Sequence, residues 1–221
     1  MIITFGTQKG GVGKTTIAVA LANYLTLHKE RKVFVYDFDY QKSFHKLWEI
    51  DNGKENSIPP IYDVQVINNE DELPFSNMEE LKAIKDSQDI YLFDLGGTLD
   101  ARYNLLLVYS DIIVIPFEYS NVSIESTLVF INVITKHFET EASLLFISNR
   151  SDAGYNYPNK EYTDGVLEQY GELVPTPIYK RNALQKINTR EFKKEIRNAI
   201  KPNLDELLYI INNLTENKYN L

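Results

Sequence analysis

Six short apolar runs, rich in β-branched and aromatic residues, alternate with helix-forming segments along this chain, and that alternation constrains the fold most. The runs are 2–6 (IITFG), 33–37 (VFVYD), 63–67 (DVQVI), 90–94 (IYLFD), 111–116 (DIIVIP) and 143–149 (SLLFISN). Most are continuously apolar, as expected of strands buried on both faces. Helices are expected at 14–28, 42–50, 76–86, 101–109, 121–138 and 159–170, with two more at 189–200 and 203–214. Strand–helix alternation of this kind builds right-handed βαβ units. The expected class is therefore α/β, a mostly parallel twisted sheet with helices on both faces. The polar loops 51–60 and 151–159 have strands on both sides, and there is no internal repeat, so residues 1–221 read as one domain. Ligands of such sheets bind beyond the carboxyl ends of the strands.

Beyond the first strand the chain reads QKGGVGKTT, residues 8–16. Gly10, Gly11 and Gly13 let backbone N–H groups, Val12's included, turn inward around phosphate oxygens. The helix that follows adds its positive end. Lys14 would reach β- and γ-phosphates, the Thr15 hydroxyl would bind Mg²⁺, and Thr16 would reach the α-phosphate. One departure stands out: the general phosphate-loop pattern has glycine where this chain has Gln8. The string resembles the deviant Walker A motif of the ParA/MinD family of ATPases, and Gln8 is more similar to the ParA plasmid-partition branch. The resemblance implies a three-layer P-loop NTPase fold, with ATP and Mg²⁺ as ligands.

The other strand ends extend the resemblance to about residue 182. VFVYDFDYQKS is similar to the family's D-x-D-P-Q segment, with Tyr40 replacing the usual proline. The resemblance gives Asp39 the task of orienting the attacking water and places Asp37 near the metal. Read alone, two aspartates after a strand also suit a solvated turn. IYLFDLGGTLD ends an apolar strand on Asp94, as a Walker B segment does, and Asp94 would hold Mg²⁺ through water. Gly97 follows at D-x-x-G spacing, with its N–H toward the γ-phosphate. The resemblance makes Asn149 a reader of the adenine edge and gives Pro177 and Ile178 backbone contacts beside the base. A turn-forming role for Asn149 stays open.

Lys9 has no phosphate of its own to serve, since Lys14 already occupies that role. The resemblance implies a nucleotide-sandwich homodimer in which Lys9 crosses to the partner's phosphates, like an arginine finger supplied in trans. Lys9, Lys14 and Asp39 are thus the expected catalytic set, and ATP both substrate and dimer glue.

The chain carries a formal net charge of −8, yet residues 180–201 hold eight lysines and arginines against two glutamates. Arg190, Lys193, Arg197 and Lys201 recur at helical spacing opposite Phe192, Ile196 and Ile200. Such a stripe would neutralise DNA phosphates without reading sequence. An ordinary solvated face remains the alternative. The family tilts the reading toward nonspecific DNA, and toward a ParB-like centromere-binding protein or another stimulating adaptor as partner.

No cysteine is present, so thiolate metal sites, iron–sulfur clusters and cysteine nucleophiles are excluded. No segment reads as a signal peptide or membrane span, and the first strand begins at residue 2, without a preceding helix-turn-helix. A cytoplasmic, nucleoid-associated ATPase switch for plasmid, chromosome or mobile-element partition is the expectation. The competing expectations are a MinD-like positioning scaffold with no DNA role and a small-molecule synthetase of related fold.

Overall fold

The computed structural model describes residues 1–54, 58–66, 78–98, 100, 103–216 and 218–221. Among these residues, seven strands form one sheet: β1 (Ile2–Phe5), β2 (Val33–Phe38), β3 (Val64–Val66), β4 (Ile90–Leu95), β5 (Ile112–Phe117), β6 (Ser143–Ser148) and β7 (Glu172–Leu173). Their spatial order is β3-β2-β4-β1-β5-β6-β7, and every pairing is parallel. Among the described residues, seven α-helices accompany them: α1 (Lys14–His28), α2 (Ser43–Asn52), α3 (Met78–Asp86), α4 (Asn104–Tyr109), α5 (Asn121–Lys136), α6 (Lys160–Leu167) and α7 (Lys194–Leu214).

The period-2 geometry of the strands sorts side chains to opposite faces. Ile3, Phe5, Val33, Val35, Leu92, Val114 and Leu145 join α1 and α7 in one core. Ile2, Tyr36, Phe38, Phe93, Ile113, Ile115 and Phe146 join α4 and α5 in the other. Both faces are covered, which is why the strands read as continuously apolar. Helix α1 is buried along Ile17–Leu25, as an apolar central helix must be.

The expected strands and most helices appear within a few residues of their predicted bounds. Residue 67 of one expected strand, and residues 76–77 and 101–102 of two expected helices, lie outside the described residues. β7 is an addition: two residues are too short to register as a periodic run. The C-terminal pair of helices is corrected to one. Ile196, Ile200, Leu204, Leu207, Leu208 and Ile211 keep one buried face across Pro202, so packing outweighs the hydrogen bond that proline removes.

The start of that helix is corrected too, from 189 to Lys194. Asn188 Oδ1 accepts the amides of Arg190 (2.9 Å) and Glu191 (3.0 Å), an Asx turn that competes with helix. Asp51 accepts from both the amide (2.8 Å) and hydroxyl (3.1 Å) of Thr189, anchoring the turn to the end of α2.

Candidate functional site

The sheet sets the site by register. Asp94, near the end of β4, lies beside Phe5 of β1 and beside Asp37 of β2. The glycine loop leaves β1 one residue later and enters α1 at Lys14. Gly13 caps that helix with φ 91, a left-handed value that glycine adopts without strain. No acidic residue occupies the helix's first turn, so its positive end is left for an anion.

These strand ends surround a cleft of about 600 Å³ lined by Gly10, Gly11, Gly13, Lys14, Thr15 and Thr16 from the loop, by Asp39, Tyr40, Gln41 and Ser43 beyond β2, by Gly96, Gly97 and Thr98 beyond β4, and by Arg150 beyond β6. Gly97 closes against the loop. A Cβ there would lie 3.2 Å from the Gly10 nitrogen and 3.3 Å from its Cα, which accounts for glycine at this approach. Burial pushes the Lys14 ammonium below its ordinary pKa, while Asp94 and Asp39 draw it back up.

The donor set fits Mg²⁺. The Thr15 hydroxyl donates to Asp94 Oδ2 at 2.6 Å, while Asp94 Oδ1 is buried without a partner. No cluster of three or more His, Cys, Asp or Glu side chains among the described residues is placed to hold a metal. Hard oxygens with so few protein ligands suit an ion that keeps waters and leans on phosphates. Asp37 is drawn differently from its expected metal role. Its two oxygens accept the backbone amides of Asp39 and His45, each at 2.9 Å, so it organises the loop after β2.

That loop carries Asp39, whose Oδ1 accepts the Gln41 amide at 3.0 Å. Tyr40, in place of proline, is 54% exposed and donates its hydroxyl to Asp100 at 3.1 Å. The loops after β2 and β4 are thereby tied together by a side chain rather than stiffened by a ring.

Burial raises the Asp94 carboxyl from 3.8 to about 7. Between those values the folded chain holds a proton that the unfolded chain releases. Stability therefore falls as pH rises through this window. Asp94→Asn has no proton to lose. Its nucleotide-free melting temperature should drop less than the parent's between about pH 5 and about pH 8. Parallel profiles for the two proteins would contradict the assignment.

Several expected contacts land elsewhere. Asn149 is 6% exposed and donates through Nδ2 to the Val12 carbonyl at 2.7 Å. It props the loop from behind, and a Cβ on Gly13 would lie 2.2 Å from that nitrogen. Neither Asn149 nor Pro177 nor Ile178 lines the cleft. Ile178 is fully buried, and its amide and carbonyl pair with Ser148 and Ser151. The four-residue basic stripe is corrected. Arg190 precedes α7, is 5% exposed, stacks over Trp48 at 5.1 Å and donates to the Trp48 carbonyl at 3.2 Å. Lys193 pairs with Glu191 at 3.0 Å and Lys201 with Asp205 at 2.5 Å.

Lys9 does not line the cleft. Its ammonium lies 3.6 Å from Glu118, beyond β5. Arg150, which sequence reasoning passed over, does line it. The available signal was its position directly after an expected strand.

Residues 3–220 match the family model described as the CobQ/CobB/MinD/ParA nucleotide binding domain. No curated protein sequence matches the chain. Solved structures share the fold. One, from Borrelia burgdorferi B31 with AMPPNP bound and provisionally described as a plasmid partition protein, is 21% identical, with TM-score 0.69 over 94% of this chain and 98% of that one. The pNOB8 ParA structure on nonspecific DNA is 16% identical, with TM-score 0.66 over 98% and 99%. The MinC:MinD cell division complex of Aquifex aeolicus is 16% identical, with TM-score 0.70 over 94% and 95%.

Proposed function

This chain belongs to the CobQ/CobB/MinD/ParA nucleotide-binding domain family, and on that premise we propose that it is a Mg²⁺-dependent ATPase switch of the ParA type. ATP pairs two copies, the pair binds DNA nonspecifically, and hydrolysis resets both. The observation that carries this reading is the division of labour between two lysines. Lys14 lines the phosphate cleft, whereas Lys9, five residues earlier on the same loop, lies off it.

The mechanism follows from the residues. Loop amides and the start of α1 hold the β- and γ-phosphates, and Lys14 neutralises their charge. Thr15 and Asp94 would hold Mg²⁺, which would supply further charge neutralisation on the phosphates. Asp39, on the cleft wall, orients the attacking water. Lys9 of the second copy stabilises charge developing at the γ-phosphate, as an arginine finger does. ADP lacks the group that both lysines hold, so the pair separates. Intrinsic turnover is slow, as in switch ATPases that await a partner. A ParB-like adaptor is the expected stimulator, and the protein works in the cytoplasm on the nucleoid.

Light scattering tests the reading. A dimer with AMPPNP and a monomer with ADP are expected, and one size in both states would contradict it.

For DNA, the surface shifts from the expected stripe to Lys193 and Lys194, both exposed, with Arg197 on the first turn of α7. Lys193→Glu with Arg197→Glu should weaken DNA retention by AMPPNP-bound protein about tenfold or more and flatten its salt dependence, while basal ATPase stays intact. Unchanged retention at low salt would remove this surface from the account. One observation favours a second reading, a MinD-like scaffold for protein or membrane cargo. Burial of Arg190 and pairing of Lys193 and Lys201 leave less free positive charge than the sequence suggests. Nucleotide-dependent pairing without any DNA retention would select that reading.

A further inference from the structure

A single carboxylate, Glu118, gathers two cations, Lys9 off the cleft and Arg150 on its lining. Lys9 Nζ lies 3.6 Å from Glu118 Oε2, and Arg150 Nη1 lies 3.5 Å from Glu118 Oε1. Lys9 Nζ also donates to Ser120 Oγ at 3.5 Å. The carboxylate has a firm base, since the Glu118 amide donates to Ser123 Oγ at 3.0 Å on the first turn of α5. Lys9 and Glu118 are each only about a quarter exposed. Arg150 reaches the cleft lining from a left-handed backbone, φ 54, directly after Asn149.

A lysine has one ammonium. It cannot stay on Glu118 of its own subunit and also reach the nucleotide of another. We propose that Glu118 is a positioning residue that parks Lys9 in the free subunit and hands its charge to Arg150 when Lys9 leaves. The inference rests on the trans role of Lys9 proposed above. Arg150 makes the release affordable in electrostatic terms. A carboxylate about three-quarters buried that loses one cation still keeps the other, so no uncompensated charge is stranded. Each dimer must break two such pairs, one per subunit. The hold on Lys9 therefore sets the protein and nucleotide concentration at which pairing begins, and keeps the lysine out of its own cleft meanwhile.

Two readouts test this. The first uses nucleotide-free protein and a small amine-acylating reagent. Mass spectrometry follows modification of Lys9 relative to the exposed Lys82. Glu118→Gln should acylate Lys9 about threefold faster than the parent, the size expected for a partly exposed ion pair. Arg150→Gln leaves Glu118 to Lys9 alone and should acylate it no faster than the parent. The second is light scattering with AMPPNP, in which Glu118→Gln should pair at about tenfold lower protein concentration, two released pairs being multiplied.

Equal Lys9 reactivity in the parent and Glu118→Gln overturns the proposal. So does faster acylation in Glu118→Gln and Arg150→Gln alike, which would indicate general loosening. Faster acylation in Glu118→Gln alone, with no easier pairing, also overturns it, because the hold would then not oppose dimer formation. If the parent itself never pairs with AMPPNP, the trans reading fails, and the acylation result still decides whether Glu118 holds Lys9.

Discussion

Lys9→Ala should bind ATP like the parent, yet fail to pair and fail to hydrolyse it. Binding survives because the cleft is lined by Gly10, Gly11, Gly13, Lys14, Thr15 and Thr16, and not by Lys9. Pairing fails because each dimer loses two charged contacts to phosphate. At about 1.5–3 kcal/mol each, these amount to about 3–6 kcal/mol, or about 10²–10⁴-fold in the dimer Kd. Hydrolysis should fall by about 10³–10⁵-fold, the range for removing a cation supplied in trans at the γ-phosphate. Titration with a fluorescent ATP analogue, light scattering and phosphate release measure the three quantities on one preparation. A variant that pairs normally would exclude Lys9 from the interface.

Asp39→Asn should give the opposite signature, pairing retained and hydrolysis lost. Asparagine keeps the volume of aspartate and an oxygen to accept the Gln41 amide, now bonded at 3.0 Å, so the loop after β2 keeps its turn. What disappears is the carboxylate that orients water. Turnover should fall about 10²–10⁴-fold. With ATP, the variant should accumulate as a dimer that persists while the parent's decays. Rapid decay of that dimer, or near-normal turnover, would remove Asp39 from the reaction.

Local sequence carried the parts of the site that are themselves local. A strand, three glycines, Lys14, Thr15 and a helix lie within one short stretch. Asp94 ends an apolar strand whose neighbours are dictated by βαβ handedness. The structure brings these together as the sequence implies. Arg190 was misread because three- and four-residue spacing looks the same in a helix as in the Asx turn that Asn188 imposes, and the acceptor for Arg190, the Trp48 carbonyl, is far away in the chain. Asn149 and Glu118 share that difficulty. The Val12 carbonyl and the Lys9 ammonium meet them only because β1, β5 and β6 adjoin in the sheet. Tyr40 was legible as a departure from the family pattern, but its bond to Asp100 was not.

The most direct test of the central claim, that Lys9 acts on the other subunit's nucleotide, mixes two inactive variants. Lys9→Ala keeps its own Asp39, and Asp39→Asn keeps its own Lys9. In a mixed pair, the nucleotide on the Lys9→Ala subunit meets an intact Asp39 in cis and an intact Lys9 in trans. Phosphate release from an equal mixture should rise well above that of either variant alone. It should stay below the roughly one quarter of the parent's rate that random pairing would give, because each mixed pair holds one complete site and one of the two Lys9 contacts, while Asp39→Asn also pairs with itself. A mixture as inactive as its separate components would contradict a lysine supplied across the dimer.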